Sequence, residues 1–63
     1  MTGIGLAIDA MGGDFGPRVT VPAALTVLRE NPSLRLTFVG DESLINPLLS
    51  GVTAGERFRV SVV

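Results

Sequence analysis

The chain has no cysteine and no histidine, and all five of its basic residues are arginine. Without cysteine, no disulfide can staple it and no thiol can act as its nucleophile. Without histidine, the usual zinc ligand sets and a serine–histidine pair cannot be built from these residues. Tryptophan and tyrosine are absent too, which leaves three phenylalanines as the aromatic content. No apolar run approaches the ~20 residues needed to span a bilayer. The amino terminus lacks the basic flank of a secretory leader, and Asp9 interrupts the first apolar stretch. The arginines are scattered against six carboxylates, for a formal charge of −1, so no basic stripe suggests nucleic acid as a partner.

What the chain does have is apolar side chain: 46% of its 63 residues are hydrophobic and the mean hydropathy is +0.51. A domain this short buries only about 60% of its unfolded surface and is marginal without disulfides, metal or a partner. Such apolar content therefore points to faces covered by further chain. The run Arg57-Phe58-Arg59-Val60-Ser61-Val62-Val63 reads as a strand with no polar tail after it. The expectation is that residues 1–63 form the amino-terminal part of a larger α/β protein. The alternative is a complete small domain closed by oligomerisation.

Ile4 to Ile8 is nearly continuous in apolar residues, as in a parallel strand covered on both faces, and Asp9 closes it. Val21, Ala24, Leu25 and Leu28 recur at helical spacing. Thr20 is the expected N-cap, with Pro22 tolerated in the first turn, and Asn31-Pro32 ends the helix. Leu34 to Val39 is the second strand. Asp41 should cap a helix with Glu42 in its first turn, and Asn46-Pro47 should split that helix into two short pieces. Gly51 to Glu56 reads as a polar loop and Arg57 to Val63 as the third strand. Helices between consecutive strands imply parallel pairing, so the first and second loops emerge at the same edge of the sheet.

The distinctive local feature is Asp9-Ala10-Met11-Gly12-Gly13-Asp14-Phe15-Gly16-Pro17, a strand running into an acidic, glycine-rich turn. Gly12 and Gly13 allow unusual dihedrals and close approach to the backbone. At the carboxyl end of a parallel strand such a turn is well placed to hold a ligand; it also fits a tight strand-to-helix connection with no ligand. The spacing is wrong for the G-x-G-x-x-G dinucleotide fingerprint, the Walker A lysine is missing, and no G-x-S-x-G elbow exists. Asp9 and Asp14 together are thin support for a magnesium site, because either can instead accept amides of its own turn.

The run from Asp9 to Asp14, continued by Phe15-Gly16-Pro17 and by Leu36-Thr37-Phe38-Val39-Gly40-Asp41-Glu42, resembles the amino terminus of the bacterial phosphate acyltransferases of phospholipid synthesis. The resemblance covers nearly the whole chain from Ile4 onward, and Asp9–Asp14 is its distinctive part. It implies a doubly wound, mostly parallel sheet with helices on both faces, of which this segment is the βαβαβ start. It implies an enzyme that transfers a fatty acyl group from acyl-(acyl-carrier-protein) to inorganic phosphate, making acyl phosphate. It further implies a homodimer in the cytoplasm, with peripheral contact at the inner face of the cell membrane through further chain, and no cofactor or metal. The same resemblance sets the first strand–loop junction at the active-site cleft, with Asp9 and Asp14 as candidate catalytic residues and Met11, Gly12 and Gly13 as candidate substrate or phosphate-binding residues. Other phosphate-compound or nucleotide-binding α/β enzymes, and a noncatalytic βαβ assembly segment, are the alternatives.

Overall fold

The computed structural model describes residues 3–12 and 16–63. Within them the chain runs β1 (Ile4–Asp9), α1 (Pro17–Glu30), β2 (Leu34–Val39), α2 (Glu42–Ile45), a 3-10 turn (Asn46–Leu49), α3 (Ala54–Arg57) and β3 (Val60–Val62). The three strands form one parallel sheet in the order β1-β2-β3, with Ile4 opposite Leu34, Leu6 opposite Leu36 and Leu36 opposite Val60. This is a βαβαβ unit of a doubly wound α/β fold.

Alternation along β2 shows which face is covered. Leu34, Leu36 and Phe38 are buried, whereas Arg35 and Val39 on the opposite face are exposed. The buried three meet the stripe Val21, Ala24, Leu25 and Leu28 of α1, together with Ile45 and Leu49 from the second crossover. Two successive right-handed crossovers in one direction put both on the same face, so one core forms on that side. Phe38, Leu28 and Ile45 have no exposed surface at all.

The first helix begins earlier than the expected Val21. Gly16 has φ 67°, a conformation strained for any residue with a Cβ, and Pro17 follows as the first helical residue. Thr20 therefore lies inside the helix rather than capping it, and Pro22 is an interior residue. Its missing N–H leaves the Arg18 carbonyl without an intrahelical donor, which is tolerable because Pro22 sits on the exposed side. The buried stripe is the same under either start.

Asn31-Pro32 does end the helix, and the ending is chemically complete. Pro32 cannot donate to the Leu28 carbonyl, which instead accepts the Asn31 amide at 3.3 Å and Arg59 Nη1 at 3.1 Å, while Asn31 Nδ2 serves the Val27 carbonyl at 2.8 Å. Arg59 Nη1 also reaches the carbonyls of Asn31 (3.0 Å) and Leu34 (3.1 Å), which ties the entry to β3 to the end of α1 and the start of β2.

The expected polar loop over Gly51–Glu56 contains a helical turn instead. Thr53 and Glu56 form a capping box: the Glu56 amide donates to Thr53 Oγ1 at 3.1 Å and the Thr53 amide to Glu56 Oε1 at 2.9 Å. Arg29 Nε adds an ion pair to Glu56 Oε2 at 2.8 Å, joining α1 to α3. Because Arg57 closes this helix, the third strand is shorter than the sequence suggests and starts at Val60.

Candidate functional site

The loops after β1 and β2 lie side by side at the carboxyl ends of the strands, as the parallel topology requires. Ala10, fully buried, donates its amide to the Val39 carbonyl at 3.0 Å, which extends the β1–β2 pairing to the edge of the turn. The next residue, Met11, packs its side chain against Gly40 of the second loop. Gly40 in turn donates its amide to the Val63 carbonyl at 3.1 Å, so all three strand ends are tied together here.

Asp9 has a definite local task. Its Oδ1 accepts the Met11 amide at 3.0 Å, an Asx turn, and its carbonyl accepts the Gly12 amide in a long bond of 3.4 Å. At Gly12 it is space that is tight and not φ that is unusual: a Cβ there would lie 3.1 Å from Asp9 Oδ2 and 3.3 Å from its Cγ, so the carboxylate would have to shift by a few tenths of an ångström. The positive-φ glycines among the described residues are Gly16 and Gly40. Of the five candidate site residues, Asp9, Met11 and Gly12 are brought together in one turn. Gly13 and Asp14 lie outside the described residues.

The second loop carries a carboxylate of its own. Asp41 Oδ1 accepts the Ser43 hydroxyl at 2.6 Å and the Ser43 amide at 2.9 Å, capping α2 as its position predicts. These bonds, the hydroxyl first, hold the Asp41 carboxyl below the usual aspartate range. Among the described residues no group of three or more acidic side chains converges as a metal site would require. No helix of the described residues is long and apolar enough to cross a membrane.

A more open hollow lies elsewhere. A groove of about 350 Å³ runs along the open side of β1, lined mostly by the apolar Ile4, Leu6, Val27, Pro32 and Leu34, with Asn31 and Ser33 at one end. It opens at the amino ends of the strands, opposite the glycine turn, and leaves Ile4 65% exposed. Its apolar lining belongs to the uncovered sheet edge rather than to a polar site.

The capping box and the contact between Met11 and Gly40 were not identified from sequence. Thr53-Ala54-Gly55-Glu56 carries the threonine-x-x-glutamate signal for the first; nothing local marks the second.

Comparison with known proteins agrees with the resemblance drawn from the motifs. A phosphate acyltransferase of Shewanella amazonensis is 56% identical over 63 residues, which is 100% of this chain and 18% of that protein. One of Pseudomonas putida is 55% identical over 58 residues, covering 92% of this chain and 17% of that protein. One of Shewanella pealeana is 47% identical over 62 residues, covering 98% and 18%. The chain thus spans a minor part of the length of the curated relatives it matches. No solved structure matches it. Residues 4–63 match the family described as fatty acid synthesis protein, and the chain belongs to that family.

Proposed function

We propose that this chain is the amino-terminal segment of an acyltransferase that moves a fatty acyl group from acyl-(acyl-carrier-protein) to inorganic phosphate. The observation that carries the reading is the match along the whole chain, at 56% identity, to a protein named phosphate acyltransferase. The acidic glycine turn at the carboxyl end of β1, where ligands bind in open parallel sheets, supports it.

The chemistry asks little of an enzyme nucleophile. A phosphate oxygen attacks the thioester carbonyl, a C–O bond forms, the C–S bond breaks, and the carrier thiolate leaves and takes up a proton. The protein must align two anionic partners and stabilise the charge that develops on the carbonyl oxygen. In this proposal the amides of Gly13 and of Gly12, the latter giving up its long bond to the Asp9 carbonyl, face the phosphate or that oxygen, with Met11 beside them. Asp9 holds the turn in shape, and Asp14 orients the loop or a protonated phosphate. No cofactor takes part. The working enzyme is a homodimer in the cytoplasm, touching the inner face of the membrane through chain beyond this segment.

The test uses the full-length protein with acyl-(acyl-carrier-protein) and phosphate. Carrier thiol should be released only when phosphate is present, and acyl phosphate should be trapped by hydroxylamine as the hydroxamate. Thiol release that does not depend on phosphate, or none at all, refutes the reading. Asp14→Asn should then lower kcat/KM by about tenfold or more, equivalent to about 1.4 kcal/mol of transition-state stabilisation.

A further inference from the structure

We propose that Gly40 is a positioning residue: it sets the glycine turn after β1 by giving the Met11 side chain its seat. The proposal rests on the acyltransferase reading for its kinetic test, but its geometry stands alone.

Three distances carry it. A Cβ built on Gly40 would lie 2.6 Å from Met11 Cγ, 3.0 Å from Met11 Sδ and 3.2 Å from Ile45 Cδ1. The first is far inside van der Waals contact, and Cγ is too near the Met11 backbone to be moved by rotating the end of the side chain. Relief requires a different χ1 or a shift of the Met11 backbone itself. Gly40 cannot retreat, because its amide is bonded to the Val63 carbonyl and its neighbour Val39 receives the Ala10 amide. Ile45 is fully buried and closes the other side. Met11 must therefore yield.

Met11 is also poorly free to yield without consequence. Its amide is held by Asp9 Oδ1, and the next residue, Gly12, lies against the same carboxylate. The turn is thus pinned from two directions, by Asp9 within its own loop and by Gly40 across the gap. A backbone shift at Met11 carries the amide of Gly12, a candidate phosphate contact, with it; a change of χ1 alone takes the 41%-exposed side chain off its seat and leaves the turn held by Asp9 alone. Gly40 touches no proposed substrate atom, so its influence passes through Met11.

A double-mutant cycle on the full-length enzyme separates this role from simple backbone strain. Gly40 has φ 155°, so an alanine there carries some strain whatever occupies position 11. The Met11 clash, by contrast, disappears once Met11 is truncated. Gly40→Ala should lower kcat/KM for phosphate about tenfold in the Met11 background and less than about threefold in the Met11→Ala background. The loss should fall mainly on KM for phosphate, with KM for the acyl carrier changed less than about twofold. Equal losses in both backgrounds, or no loss, overturn the proposal.

If Gly40→Ala fails to fold, Met11→Ala alone still decides the matter. Hydrogen exchange of the Met11 and Gly12 amides should quicken about tenfold when the seat is left empty, and unchanged exchange overturns the proposal. A wild-type protein that makes no acyl phosphate sinks the acyltransferase reading, while the exchange measurement still tests the coupling.

Discussion

Arg59→Ala should loosen the junction between α1, β2 and β3 more than its partly exposed position suggests. One amino group of the guanidinium faces three carbonyls, those of Leu28, Asn31 and Leu34, at 3.0–3.1 Å. A single nitrogen has two hydrogens, so the three bonds are shared and do not add as three. A hydrogen bond from a charged donor contributes about 1.5–3 kcal/mol, and a cation at a helix carboxyl end about 0.3–1 kcal/mol. The Asn31 carbonyl can turn to water once the arginine is gone; the Leu28 carbonyl keeps only the longer bond from the Asn31 amide, at 3.3 Å, because Pro32 lacks an N–H. The sum to expect is about 2–3 kcal/mol. Native-state hydrogen exchange on the full-length protein can read this locally. Amides of β2 should exchange about 30- to 150-fold faster wherever their opening runs through this junction. Arg59→Lys keeps the charge on a single point and should recover about half of the loss. A change below about threefold in Arg59→Ala, or a lysine variant no better than alanine, refutes the reasoning.

Three other outcomes follow from single contacts. The Asp41 carboxyl is held below its ordinary range, so the stability it contributes is present above about pH 4 and is lost as pH falls through its lower folded value. The Ser43 amide resonance should therefore shift in that acidic window, and Asp41→Asn should abolish the shift. Pro22→Ala supplies the donor that the Arg18 carbonyl lacks and should raise stability by about 1–2 kcal/mol, after deducting about 1 kcal/mol for the freer unfolded chain; a lower denaturation midpoint would contradict this. Asp9→Asn keeps an oxygen for the Met11 amide whereas Asp9→Ala does not, so acyl-phosphate formation should fall at least about fivefold further in the alanine variant. Equal losses in the two would assign Asp9's contribution to its charge rather than to its hold on the turn.

The parallel sheet was readable from sequence because its signals are local and redundant. Ile4–Ile8 and Leu34–Val39 are apolar enough to be strands, although β1 is exposed along most of its length rather than covered on both faces, and the stripe through Val21 and Leu28 fixes a helix between them. The errors came at boundaries where two local rules compete. Pro22 read as a residue of the first turn, but Gly16 and Pro17 start the helix so well that an exposed interior proline is carried along. Gly51 and Gly55 suggested a loop, but the reciprocal bonds of Thr53 and Glu56, strengthened by Arg29, outweigh the helix penalty of one glycine.

The candidate site divides along a different line. Sequence placed Asp9 and Gly12 in one turn, and it placed that turn at the same sheet edge as Gly40. It could not show that Met11 crosses between the loops, because that contact depends on the spacing of two parallel strands and on a missing Cβ 29 positions away. The same holds for Arg59, whose partners lie 25 to 31 positions earlier in the chain. This distinction bears on function. A turn needed only to connect β1 with α1 could be held by its own residues, as Asp9 holds Met11. A turn also fixed from the neighbouring loop has its backbone position specified more closely than connection requires, which is what the proposed contact of its amides with phosphate would need.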